Sequence, residues 1–334
     1  MTDANGSYIR SVDRTGFIRW TTVGLPHGIA VVYYALPVVG ANGIVYFALA
    51  PSGGGGYLIG VDERSGAVTV DQPLTGLSVG LYATASGLVE VDAGGSVEYL
   101  GYNGTVDASY TVPFALENLS AGAGGSVFLA GPDQSSAGCS GTVPFHVAKV
   151  TPTGVAWTWT DATAPACSNG MIAATPDGGA VTIEWTGART AMGYFMSLDN
   201  MGSKRWSTSM SPTASGLLFA WPPMVDVNGT VVVPTFGDYS CYSQPSSTCT
   251  GLNFSFISQS SGATLLPSIL ATNEANVAFG GDPWGSFLAI APGRVYADAA
   301  ADVSNPTFAA DADALAAFDA PGVSEDFQFS LREG

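Results

Sequence analysis

Positive charge is the scarcest commodity in this sequence. Its 334 residues include only 10 Lys or Arg against 27 Asp or Glu, a formal balance of −17. Such a surface repels phosphate backbones and anionic lipid, so no nucleic-acid partner is expected. Long apolar runs are also missing. None approaches the roughly 20 residues that a spanning helix needs, so no membrane insertion is expected. The start, Met1 to Gly6, is polar and acidic. A secretory leader is therefore either already removed or was never part of this chain. Sustained helical periodicity is lacking too. The one helix-like stretch, Ala309 to Ala317, is Ala/Asp-rich and reads equally well as a loop and a strand. There is no P-loop, no H-E-x-x-H and no G-x-S-x-G elbow, which leaves nucleotide, zinc-protease and serine-hydrolase chemistry without a motif. The four cysteines contain no C-x-x-C and no adjacent pair, and only two histidines are present, which argues against a zinc site.

Glycine and turn residues are abundant. The chain has 43 Gly and is 46% hydrophobic, with short apolar runs set between Gly, Asn, Asp and Pro clusters. That pattern predicts many short strands. A tag recurs along it: an apolar strand, a D/T-x-x-(S/T)-G turn, and a second strand often carrying Trp. Clear copies are Asp13 to Gly16 with Trp20, Asp62 to Gly66, and Asp199 to Gly202 with Trp206. Weaker copies centre on Gly104, on Gly154 with Trp157, on Gly262 and on Gly322. A period of roughly 40–60 residues implies stacked supersecondary units, and four-stranded propeller blades fit it.

The tag resembles the PQQ-like (quinoprotein alcohol dehydrogenase-like) propeller repeat, whose blades carry L-D-x-x-T-G-x-x-x-W. Only the copies ending at Trp20 and Trp206 keep the Asp, Gly and Trp together. The resemblance implies an all-β, β-propeller fold. Enzymes of that family hold the quinone PQQ beside calcium and commonly against a disulfide of adjacent cysteines, a pair this chain lacks. The resemblance thus supports the fold and not the redox activity, and no cofactor is expected from it.

A second signal, Gly-x-Val, marks the other half of each blade at Gly43, Gly87, Gly125, Gly179, Gly229 and Gly293. These read as turns between a blade's first and second strands, and the tags as turns between its third and fourth. Blade one then runs from about Gly28 to Val70, with later blades ending near Val112, Thr160, Met210, Ile269 and the C-terminus. Residues 1–334 form one propeller domain on this reading, with six complete blades and an outer hairpin of a seventh, Tyr8 to Val23. The inner strands of that blade have no counterpart. The chain is a fragment of a longer one, or the hairpin docks on blade six, or the inner strands have diverged. An incomplete blade edge also favours oligomers.

Within a blade, the first-to-second and third-to-fourth turns share one side, and here they are tight. The long connections fall on the other: Ala130 to Pro144, Thr160 to Gly170, Ser209 to Pro223, Gly237 to Gly251, Ser268 to Gly285 and Ala297 to Asp311. Loops on a rigid scaffold commonly carry function. All four cysteines map to that side, which makes Cys139–Cys167 and Cys241–Cys249 sensible disulfides. Paired cysteines imply an oxidising, extracellular or periplasmic compartment; four free thiols in a cytosolic protein are the alternative.

The same side holds the candidate site. Tyr239, Tyr242, Trp221 and Trp284 offer stacking surfaces for a neutral sugar or a protein, with Arg189 among them. Asp238, Glu274 and Asp282 are the loop carboxylates that a glycosidase would need, one as acid and one as base or nucleophile. Turn capping explains the same acids without catalysis. His27, between Pro26 and Gly28, is the better-placed histidine for acid–base work, while His146 lies in a strand. The aspartates of blade six (Asp298, Asp302, Asp311, Asp313, Asp319) would suit Ca²⁺, although no D-x-D-x-D-G loop accompanies them. Two functional classes follow: a binding or scaffold propeller gripping a glycan or protein, and a carbohydrate-active hydrolase or lyase centred on the same face.

Overall fold

In the computed structural model, the described residues are 2–3, 6–13, 15–22, 25–30, 37–51, 55–133, 142–164, 168–186, 193–210, 216–220, 222–226, 228–240, 248–272, 277–278, 288–291, 294–301 and 313–319. They form an all-β chain of the β-propeller class: six antiparallel sheets in sequence order, preceded by an N-terminal hairpin of Arg10–Val12 with Ile18–Thr21. The chain divides into two compact units. One comprises Met1–Leu116, Ala123–Leu129 and Ala148–Trp157; the other comprises Glu117–Gly122, Ala130–Val147 and Thr158–Gly334. No helix among the described residues is long and apolar enough to cross a membrane.

Blade two shows the plan: Ser78–Ala83, Gly87–Asp92, Ser96–Gly101 and Val106–Thr111, each paired with the next. Blades three and four repeat it, from Asn118 to Asp161 and from Ser168 to Met210. In blade one the first row is split. Ile29–Ala30 and Val38–Val39 both pair with Ile44–Pro51, ahead of Gly56–Asp62 and Val68–Leu74. Blade five splits likewise, with Gly216–Ala220 and Met224–Val225 both on Thr230–Ser240. In the last sheet Val277–Ala278 and Leu288–Ala291 lie along one edge of Arg294–Ala301, and Asp313–Asp319 lies along the other. Blade ends at Leu74, Thr111, Asp161, Met210 and Thr272 fall within a few residues of those predicted.

Burial explains why sequence patterns differ between rows. The second and third strands of blade two are almost wholly buried, whereas the fourth alternates between exposed and half-buried. A strand covered on both faces reads as a continuous apolar run, and an outer strand as a polar alternation. In the first unit, Tyr46, Ala48, Leu58 and Leu74 of blade one meet Leu81, Leu88 and Leu100 of blade two. In the second, Val181, Ile183 and Phe195 of blade four meet Val231, Val233 and Ile257 of blade five.

Three expectations about loops are corrected. Gly237 to Gly251 is not one long connection, because Thr230–Ser240 pairs with Thr248–Ser258 out to Ser240↔Thr248. Gly216–Ala220, expected to be loop, extends the first row beside it, and the fourth row reaches Thr272 opposite Gly251. The rows lengthen together because an unmatched extension would leave backbone donors and acceptors unpaired. The ambiguous Ala309 to Ala317 stretch contributes to a strand, Asp313–Asp319.

The tag turns are built alike. A side-chain oxygen at the first tag position accepts backbone N–H groups from within the turn: Asp13 Oδ1 from Thr15 and Phe17, Asp62 Oδ1 from Arg64 and Ser65, Asp199 Oδ1 from Met201 and Ser203. This is the Asx-turn that makes Asp and Asn turn formers. The Thr15 and Ser65 hydroxyls also hold the Asp13 and Asp62 carboxyls below their ordinary pKa. Trp20 Nε1 donates to the Glu63 carbonyl of the following tag at 2.8 Å, and Trp206 Nε1 to that of Gln259, also at 2.8 Å. Tyr110 does the same through its phenol, to Pro152 at 3.0 Å.

The indole rings also explain the glycines at 66 and 262: at Gly66, with φ 73, an added Cβ would lie 2.7 Å from Trp20. At Gly262, with φ 70, an added Cβ would lie 2.7 Å from Trp206. At Gly16, with φ 85, it would meet nothing within 4 Å. Gly16→Ala should therefore cost only the left-handed strain, about 1–2 kcal/mol. Gly262→Ala should cost that plus about 1–3 kcal/mol of overpacking. Urea unfolding of both variants checks the order; equal losses would mean that the ring contact contributes nothing.

Candidate functional site

The histidine corner is the best-defined part of the expected site. Pro26–Gly28 is a single 3-10 turn leading into blade one, and His27 takes φ 65, the only non-glycine positive φ among the described residues. Its ring stacks on Tyr57 with centroids 3.9 Å apart. Nε2 lies 2.9 Å and 3.1 Å from the two Asp71 carboxylate oxygens. Both side chains are about 38% exposed. A non-glycine residue in the left-handed region is held there by its surroundings, here the stack and the carboxylate. With Nε2 directed at Asp71, only Nδ1 remains for another partner. This is a positioned imidazole. His146, expected in a strand, has Nδ1 3.0 Å from Thr160 Oγ1 within its own sheet.

Asp238 and Tyr239 were expected in a loop and instead sit in the blade-five ladder, opposite Thr250 and Cys249. Cys249 is thus also a strand residue. Glu274, Asp282, Tyr242, Trp221, Trp284 and Arg189 lie outside the described residues, as do Cys139, Cys167 and Cys241. Of the blade-six aspartates, Asp298, Asp313 and Asp319 are in strands, with Asp319 opposite Arg294; Asp302 and Asp311 lie outside the described residues. Among the described residues no three His, Cys, Asp or Glu side chains are grouped to hold a metal. The sequence has no adjacent-cysteine pair of the kind the PQQ enzymes commonly use, and no chemistry is assigned through that cofactor.

Three arrangements were not foreseen. Glu90 and Glu98 are directly opposed on the second and third strands of blade two, 1% and 4% exposed. Glu98 accepts the Thr75 hydroxyl at 2.5 Å, while Glu90 Oε1 has no protein partner. Burial pushes the Glu90 carboxyl up to about 8, against a hydrogen bond from Ser78 and with the Asp92 and Glu98 charges adding to the rise. The sequence signal was a lone acid inside an apolar strand, at Val89-Glu90-Val91 and Val97-Glu98-Tyr99.

The second arrangement caps the first strand of blade four. The N–H groups of Gly170, Ile172 and Ala174 donate to Glu117 Oε2, Asn118 Oδ1 and Ser120 Oγ at 3.2, 3.0 and 3.0 Å. Side chains from the first strand of blade three and from Glu117 just before it thus take the place of a further strand. The alternation of 170, 172 and 174 matches the period of outward N–H groups on a strand edge.

The third is a cleft of about 420 Å³ between blades one and two, lined by Asn42, Tyr46, Gln72, Tyr102 and Asn103. Its phenols are engaged with backbone. Tyr46 donates to the Tyr102 carbonyl at 2.7 Å, and Tyr102 donates to Thr84 O at 2.5 Å while accepting from Ala41 N at 3.0 Å. These bonds join the blades and leave the two hydroxyls little capacity for a ligand.

No protein-family model matches the sequence, and no curated protein is similar to it. Among solved structures, BamB from Moraxella catarrhalis is 13% identical, with 96% of this chain and 87% of that one covered and a TM-score of 0.45. A protein of unknown function from Bacteroides caccae is 12% identical, with 80% and 88% covered and a TM-score of 0.42. The quinohemoprotein alcohol dehydrogenase ADHIIG from Pseudomonas putida HK5 is 9% identical, with 88% and 59% covered and a TM-score of 0.49. These are likenesses alone, and no function passes from them to this chain.

The buried glutamate generates a pH prediction. A carboxyl whose folded pKa is raised binds more protons in the folded state between its unfolded and folded values. Stability is then full below about 4.5 and falls as pH rises toward about 8. Glu90→Gln keeps the shape without the charge, so its stability should fall less between pH 5 and pH 8 than that of the wild-type protein. Chemical denaturation across that range measures the difference. Parallel pH profiles would show that Glu90 ionises normally.

Proposed function

We propose that this chain is a binding or scaffold propeller of an extracellular or periplasmic compartment, taking a protein or glycan partner on the loops at the second-to-third-strand ends of its blades. The observation that supports the reading is how the described acids are used. Asp13, Asp62, Asp92, Asp199 and Asp226 close turns. Glu90 and Glu98 are buried in a sheet. Asp71 and Tyr57 are the His27 contacts among the described residues. A hydrolase or lyase built on Asp238, Glu274 and Asp282 is the competing reading, and it requires those carboxylates to converge across a sugar.

The loops best suited to a partner follow the second strands: residues 133–144 in blade three, 187–192 in blade four and 241–247 in blade five. Tyr242 and Arg189 belong to two of them, and Trp221 and Trp284 to neighbouring connections. Aromatic platforms bind neutral sugars or apolar side chains at low entropic cost, since each ring has few torsions. Disulfides Cys139–Cys167 and Cys241–Cys249 would brace the same loops and suit the proposed compartment.

Intact mass before and after alkylation should find no reactive thiol until the protein is reduced; four thiols in the unreduced protein would refute both the pairing and the compartment. Trp284→Ala and Tyr242→Ala should each weaken binding on a glycan array or to a captured protein partner, with the melting temperature nearly unchanged. Unaltered binding in both variants would place the partner elsewhere, and glycan cleavage lost in Asp238→Asn or Glu274→Gln would favour the enzyme.

A further inference from the structure

Among the described residues, the N-terminal hairpin is half a blade with one edge unpaired. In blades one to five the strand that enters the tag turn is hydrogen-bonded on both sides. Its counterpart here, Arg10–Val12, pairs among the described residues only with Ile18–Thr21. The free groups can be identified. Ile9 N–H donates to Thr22 Oγ1 and Asp13 N–H to the Phe17 carbonyl, so both face into the hairpin. Strand alternation turns the N–H groups of Arg10 and Val12 to the open edge.

The surface around that edge combines exposed apolar side chains with arginines. Val12, Phe17 and Ile18 are 55%, 74% and 53% exposed, and Val12 and Ile18 are cross-strand neighbours. Arg10 and Arg19 stand on the hairpin and Arg64 on the adjoining tag turn. None of the three is in an ion pair among the described residues. Arg19 and Arg64 line a cleft of about 520 Å³ with Ser11 and Glu63. Of the nearby acids, Asp13 and Asp62 are committed to their turns, and Glu63 lines the cleft without an ion pair among the described residues.

The blades themselves indicate the occupant. The strand filling the equivalent edge is Ile44–Pro51, Gly87–Asp92, Val127–Pro132, Ala180–Thr186 or Thr230–Ser240. These five contain no Lys or Arg, and their charged residues are Glu90, Asp92, Glu184 and Asp238. We propose that the open edge of Arg10–Val12 takes, by strand addition, an extended apolar segment with acidic residues from a partner protein, whose carboxylates meet Arg10, Arg19 and Arg64. Main-chain bonds would supply affinity, and the arginines orientation and choice of partner. Pairing with the same edge of a second copy is opposed by the arginines that would be brought together, the usual guard on an exposed edge. The proposal is independent of the loop-face reading above.

A fluorescein-labelled peptide Gly-Leu-Val-Glu-Val-Asp, the sequence of the blade-two second strand, serves as the probe, with Gly-Leu-Val-Lys-Val-Lys as its counterpart. Anisotropy titration of the full chain should show saturable binding of the acidic peptide and about tenfold weaker binding of the basic one. Arg19→Glu with Arg64→Glu should reduce acidic-peptide binding about tenfold and narrow that preference. Val12→Pro removes an edge N–H and should abolish binding, with the melting temperature confirming that each variant is folded. No saturable binding, equal binding of both peptides, or unchanged binding in Val12→Pro would overturn the proposal. So would a dimer in sedimentation velocity that Val12→Pro dissolves and the acidic peptide does not, since a second copy would then own the edge.

Discussion

An aromatic donor on the outer strand of one blade reaches the carbonyl of the second residue in the next tag turn, and the ring beneath it covers that turn's glycine. Trp20 does this to Glu63 and Gly66, and Trp206 to Gln259 and Gly262. Tyr110 reaches Pro152 by the same route. Each contact combines ring burial with a hydrogen bond at the periphery, where the outer strands bury little else. It also constrains the sequence at both ends. The glycine cannot acquire a Cβ, the first tag position needs an oxygen to close the turn, and the following carbonyl must point outward. The tag is legible because one contact makes all of these demands.

Towards the inner strands the demands change. Apolar packing between successive sheets tolerates any well-fitting mixture of Val, Leu, Ala and aromatic residues, so the second strands share character without sharing sequence. Polar groups in this layer are costly unless paired. The edge of Ser168–Ala174 meets that condition with three side chains from the preceding blade. Glu98 meets it with Thr75, and Glu90 meets it only in part. A protonated Glu90 opposite Glu98 avoids two like charges at one buried site.

The loops show where local reading stops. Gly237 reads as the start of a connection, since glycine is a weak strand former. In the sheet Pro234 faces Phe254 and Gly237 faces Gly251, and the ladder continues to Ser240. The neighbouring rows on both sides made that extension favourable, and a window of one strand cannot reveal them. His27 was recognised as a loop histidine from Pro26 and Gly28. Its partners Asp71 and Tyr57 come from the fourth and third strands of blade one, 44 and 30 residues away, and nothing near His27 in sequence points to them.

The sequence by itself determined the blade period, the tag turns, the order of strands and the near absence of helix. Each of these depends on contacts within a few residues, such as an Asx oxygen on the next two amides, or on an alternation that a single strand carries. Tertiary structure alone decided how far each row extends, which acids are buried and what holds His27. Those outcomes depend on groups brought together across blades, where packing and hydrogen-bond satisfaction are settled between segments that share no local pattern.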